Sequence, residues 1–342
     1  MISNLKMQLF LPADQGIDWD IAASLAFDFA NDREIIHRQE YASLYSDIIE
    51  TVSPLIAAKT GYPDKKHPAM VLNRGEWIIT VIDNMKDLFG GIIEDYWKTV
   101  NARTDILGSS VVAKKSAKIM ITSEVGMLLG FLSQRVLAQY DFVVPGRKLP
   151  SNFLYFIEPN IEMREKQLNL SGAPFRFWLV LHELAHSFQF ENNPWLKDYY
   201  ISLLDEARSF VSAQLKDNSK RGLMNITSVS NLGLIEKIQS FMTLIEGYAD
   251  YLMIEIGQKI PGHAELLPVF LRRKPTSVFK DLLEKILGFD LKVNQYKVGM
   301  RFVKEAVSLT NFTFFSQALS GPQALPTKSE LYDATSWVAR VR

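Results

Sequence analysis

The sequence predicts a mainly α fold with one small β element near residues 153–157. Three observations predict it. Apolar residues recur at helical spacing along most of the 342 residues, strand-like runs are few, and capping residues stand at the edges of the helical patterns. Asp18 precedes the first pattern, in which Ile21, Leu25 and Phe29 share a face. A second pattern runs from about Glu34 to Lys59, with Pro54 placed to kink or divide it. Asn73 stands three residues before Glu76, a capping-box arrangement that opens a helix carrying Trp77, Val81, Met85 and Leu88. Ser109 to Tyr140 reads as one long apolar stretch. Within it Gly126 and Gly130 lie one turn apart, a spacing that lets another helix approach closely.

The best strand candidate is Phe153 to Ile157, bounded by Pro150 and Pro159; Met70 to Leu72 is a weaker one. Helical patterns follow over about 174–191, 195–216, 232–257, 276–287 and 291–308, with Gly288 at a C-cap position. Asp217 to Thr227 is the most loop-like segment. No repeat, low-complexity tract or linker is visible. The expected organisation is a single domain over 1–342, in which an N-terminal helical lobe, 1–105, would pack on a metal-binding core, 106–342.

Lys plus Arg and Asp plus Glu both number 38, so the formal net charge is zero. That balance gives no pull towards nucleic acid or an anionic membrane, and neither is expected as a partner. Cysteine is absent, which excludes disulfides, thiolate metal sites and a cysteine nucleophile. Any metal must be held by histidine and carboxylate. Met1 to Pro12 lacks a signal-peptide layout, and apolar runs such as Met127 to Leu132 stop short of a membrane span. A cytoplasmic location is the expectation.

Chemistry concentrates at residues 182–186, His-Glu-Leu-Ala-His, which continue the apolar run Phe177 to Leu181 on one predicted helix. Helical positions i and i+4 lie one above the other, so His182 and His186 can reach one tetrahedral ion. Glu183, about 100° around, can meet a water on that ion and act as its general base. A third protein ligand and an open fourth position complete such a zinc site. Asp205, Glu206, Glu246, Asp250, Glu255 and His263 are the downstream candidates. Glu246 is preferred, because it stands in the apolar segment Thr243 to Asp250, where a lone carboxylate would be costly to bury. Asp250, one turn on, would take the Nδ1 proton of a ligating histidine. Tyr248 and Tyr296, with Arg301 behind them, are candidate donors to an oxyanion. His37, His67 and His263 read as ordinary surface or capping histidines.

The His-Glu-x-x-His motif followed by a distant Glu-x-x-x-Asp resembles the gluzincin arrangement of zinc metallopeptidases. More closely, the chain resembles the zincin-like metallopeptidases of bacteria and archaea, a family without a settled substrate. Its members are sometimes labelled as hydrolases associated with deazaflavin-coenzyme biosynthesis. The likeness runs through Leu128 to Leu137, Gln139 to Asp141 and Phe175 to Trp178 into the motif helix. It continues at Gln189-Phe190, Pro194 to Leu196, Glu246 to Asp250, Gln295-Tyr296, Gly299 and Arg301-Phe302. The resemblance implies a zincin-like helical domain, His182, His186 and Glu246 as ligands, Glu183 as catalytic base, and a peptide or other amide as substrate. Two departures concern the substrate side of the site. Tyr248 stands where the family often has histidine, and the stretch between His186 and Glu246 is long for a gluzincin.

Two other readings compete. The zinc could serve a non-catalytic, structural purpose, although Glu183 is retained. A ferritin-like di-iron bundle would use Glu183 to His186 and Glu34 to His37 as paired Glu-x-x-His motifs. Residues 1–33 contain no glutamate to complete the first half-site, and that reading leaves His182 without a role.

Overall fold

The computed structural model describes residues 17–106, 111–140, 152–170, 172–216, 229–259, 262–272 and 295–342. The helix expected over 276–287, its cap at Gly288 and the loop-like Asp217 to Thr227 lie outside the described residues. The architecture is mainly helical with one small sheet. Among the described residues no helix is long and apolar enough to cross a membrane.

Helix α1, Trp19–Ala30, begins where Asp18 accepts a hydrogen bond from the Ile21 amide at 3.0 Å. Helix α2, Arg38–Thr60, runs through Pro54 undivided and ends on the left-handed Gly61. It starts later than the apolar pattern suggested, after the non-helical stretch from Asn31 to His37. The expected capping box forms at the start of α3, Arg74–Ile106. Asn73 Oδ1 accepts from the Glu76 amide, and Glu76 Oε2 accepts from the Asn73 amide, both at 2.8 Å. Helix α4, Val111–Ser133, covers only part of the apolar stretch, whose end turns and becomes strand β2, Ala138–Tyr140. Glycine does in α4 what its spacing predicts. A Cβ at Gly126 would lie 2.7 Å from the Ala22 carbonyl, and one at Gly130 only 2.5 Å from Phe29 Cβ, so α1 and α4 touch along their backbones.

Strands β1, Ala69–Leu72, and β3, Leu154–Ile157, pair in parallel, with Ala69 opposite Leu154. Strand β2 pairs antiparallel on the other side, with Tyr140 opposite Leu154, giving the order β1-β3-β2. The central β3 is buried on both faces, which explains its unbroken apolar sequence. Its alternating side chains serve different cores. Leu154 and Phe156 join a large core with α2, while Tyr155 and Ile157 join a smaller one with α1, α3 and α4. Helix α2 thus belongs to the large core and α4 to the small one.

Next come α5, Glu158–Leu168, α6, Ala173–Asn192, α7, Trp195–Lys216, and α8, Val229–Gly257. Helix α9, His263–Arg272, was not foreseen in the sequence, and α10 spans Gln295–Leu309. The chain closes with the short α11, Phe312–Phe315, three 3-10 turns and α12, Ala334–Val341. Phe302 and Trp337 meet edge to face here at 5.5 Å, and the Trp337 indole donates to the Ala324 carbonyl at 2.9 Å.

Candidate metal centre

Helix α6 is buried through most of its length because it lies in the large core, with β2, α2 and α8 around it. Its first turns are tied down by ions. Arg176 bridges Glu158 and Glu165 of α5, and all three side chains are buried or nearly so. Tyr45 of α2 donates to Glu158 at 2.8 Å. Tyr41 donates to Glu162 at 2.9 Å, while its ring lies 4.9 Å from the Arg176 guanidinium. Burial raises the Glu158 carboxyl above its ordinary range, and the Arg176 charge works against that rise. Burial and the bond to Glu162 push the Tyr41 hydroxyl up to about 12.

Two turns further on stand His182, Glu183 and His186. Facing them from α8 are Glu246 and Asp250. The His182 and His186 Nε2 atoms are 3.2 Å apart, and Glu246 Oε2 lies 3.5 Å from the first and 3.9 Å from the second. Metal–nitrogen bonds near 2.0–2.1 Å in a tetrahedron put ligand atoms about 3.3 Å apart. The three side chains thus present their donor atoms at spacings that suit one small cation, and the donor set of two imidazoles and a carboxylate suits zinc. Burial disfavours a charged His182 ring, but the hydrogen bond and charge of Glu246, helped by Glu183 and Asp250, outweigh it and raise its pKa. His186 moves the other way, lowered by burial and by the neighbouring His182.

Glu183 is also buried, and its Oε2 accepts a hydrogen bond of 2.8 Å from the backbone amide of Tyr140. The end of edge strand β2 therefore holds this carboxylate beside His182. Further along α6, Glu191 receives the Tyr140 hydroxyl at 3.3 Å and Lys65 at 3.3 Å. His67 Nε2 is 3.0 Å from the same carboxylate. His67 is buried rather than superficial, because Glu191 gives its ring a partner inside the protein. His263 opens α9, and its ring stacks on Trp178 at 5.6 Å. His37 is exposed at the N-cap of α2, beside Glu40 at 3.1 Å. The Glu34 to His37 motif is therefore not on a helix, as a di-iron half-site requires.

Asp250 approaches His182 Nδ1 to 3.8 Å, an ion-pair distance too long for a hydrogen bond; the Met253 sulfur is nearer, at 3.0 Å. Tyr248 does not join the cluster of His182, His186 and Glu246. Two residues beyond Glu246, it points about 200° around α8. There it is fully buried against Phe312 and Phe315, and burial drives its pKa far up. Tyr296 stands in the first turn of α10, and its side chain lies outside the described part. Arg301 is exposed and pairs with Glu305 at 3.6 Å.

One participant escaped the sequence reading. Gln189, wholly buried, places Oε1 3.0 Å from His186 Nδ1 and donates through Nε2 to the Ile245 carbonyl at 3.2 Å. Its position three residues after His186 was the available signal. Backbone contact also fixes α8 from its far side. A Cβ at Gly247 would fall 2.3 Å from the Gly299 carbonyl carbon, so α8 and α10 leave no room for a side chain beside Glu246.

No curated protein matches the chain. A crystal structure from Chloroflexus aurantiacus, described as a candidate hydrolase with a novel fold, is similar with a TM-score of 0.75 and 28% identity. The match covers 95% of this chain and 98% of that one. Residues 17–338 match the model of the zincin-like metallopeptidases, a span that includes α6 and α8. With His182, His186 and Glu246 converging inside that span, the chain belongs to the zincin-like metallopeptidase family.

Proposed function

We propose that the protein is a zinc-dependent hydrolase that cleaves peptide or related amide bonds. The supporting observation is the convergence of His182, His186 and Glu246, with Glu183 held alongside. His182 and His186 would bind zinc through Nε2, and Glu246 through Oε2. Bound there, zinc would supply a Lewis acid and lower the pKa of a water towards neutrality. Glu183 would take the proton of that water on Oε1, because the Tyr140 amide already occupies Oε2. The same carboxyl would return the proton to the leaving amine. Asp250 would act on His182 through its charge, favouring a basic ring. Of the two tyrosines expected to serve the oxyanion, Tyr296 is retained, since α10 packs on the ligand-bearing α8.

Elemental analysis and a peptide-library screen test this reading together. One zinc per chain and turnover lost in Glu183→Gln, with metal retained, are the expected results. Two irons per chain would overturn the assignment. Zinc with no hydrolysis that depends on Glu183 would reduce the site to a structural one.

A further inference from the structure

We infer that Gln189 is a positioning residue that sets the ligand face of His186 and ties it to the backbone that carries Glu246. The inference rests on the metal reading above and extends it to a residue outside the ligand set. The Ile245 carbonyl can only accept a hydrogen bond. The Gln189 amide group must therefore turn its nitrogen towards Ile245, at 3.2 Å. Its oxygen is then committed to His186 Nδ1, at 3.0 Å. An amide oxygen only accepts, so Nδ1 must carry the ring proton and Nε2 of the neutral ring must present its lone pair. That lone pair is the one directed at His182 Nε2 and Glu246 Oε2.

The second half of the device is the choice of carbonyl. Ile245 immediately precedes Glu246, so the grip on its backbone also locates the helix turn that delivers the third ligand. One buried, neutral side chain thereby couples the two helices at the point where the ligands meet. Neutrality matters, because the site already gathers Glu183, Glu246 and Asp250 around two imidazoles. An amide orients His186 without adding a fourth carboxylate.

The test uses the full-length chain, with zinc and cobalt(II) as probes. Zinc affinity is measured by competition with a chromogenic chelator, for wild type and for the near-isosteric Gln189→Met. The expected loss is roughly 10–100-fold, with a changed cobalt(II) absorption spectrum and unchanged helical circular dichroism. In the metal-free wild type at mildly alkaline pH, ring nitrogen shifts of His186 should show a protonated Nδ1 and a bare Nε2. This second measurement needs no variant and decides the matter even if Gln189→Met does not fold. Gln189→Met binding zinc as wild type does, or a His186 ring protonated on Nε2, would overturn the inference and leave the zinc site standing. A wild-type chain that takes up no metal would overturn the metal reading, and this inference with it.

Discussion

The two halves of α6 solve the same problem by different means. Both carry polar groups into the large core, where an unpaired charge is strongly disfavoured. In the first half the chain supplies its own cation, and Arg176 lies between Glu158 and Glu165 with tyrosines completing the shell. In the second half two imidazoles stand among three carboxylates, Glu183, Glu246 and Asp250, and the donor atoms of His182, His186 and Glu246 gather about one point. The first half is closed by protein atoms. The second has the form of a site completed by a cation from outside. The difference separates a polar network that anchors a helix from one whose donor atoms converge on a common point.

The strongest way to break this comparison is to remove the reactive group from the second half. Glu183→Gln should cut turnover by about 10²–10⁴-fold in a steady-state peptide assay, with zinc content unchanged; equal turnover would sink its role as base. In the first half the expected loss is stability. Arg176→Leu leaves Glu158 buried without its cation and should lower the unfolding free energy by about 3–5 kcal/mol, measured by urea titration. Chelation should touch only the second half. Zinc at a hundred times its dissociation constant stabilises the fold by about 2.7 kcal/mol, and EDTA should remove that from wild type but not from His186→Ala. A melting temperature indifferent to EDTA would count against the metal.

The smallest effect concerns the far end of the same helix. Burial opposes the charged form of Glu191, but the bond to His67 and the Lys65 charge prevail and lower its pKa. A lowered carboxyl stabilises the fold above its unfolded pKa, near 4.5, and that contribution fades as pH falls through the folded value. Glu191→Gln should therefore lose about 1 kcal/mol at neutral pH and show a flatter acid limb than wild type. Parallel acid limbs in the two proteins would remove Glu191 from the account.

What was legible in the sequence was local. The Asn73–Glu76 capping box, the Gly126–Gly130 contact and the approach of His182 to His186 follow from spacing along one helix. Glu246 was legible because a carboxylate in so apolar a helix demanded a partner. Other features depend on which surface a neighbouring element presents. Gln189 acquires its role only because the Ile245 carbonyl lies across from it. Tyr248, two residues after Glu246 in sequence, turns into an aromatic cluster that the sequence alone did not show. His67 is buried by a glutamate more than a hundred residues away. The end of the long apolar stretch reads as helix because β2 is too short to show alternation, and its pairing with β3 decides the matter.

The bond from Tyr140 to Glu183 has a consequence for how this protein can vary. Its donor is main-chain nitrogen, so exchanging the residue at position 140 leaves the donor in place, with proline as the exception. Lineages could drift at that position, reshaping the neighbourhood of Glu183, while the grip on the carboxylate is inherited unchanged. A site anchored in this way separates what natural selection can tune from what it cannot easily lose.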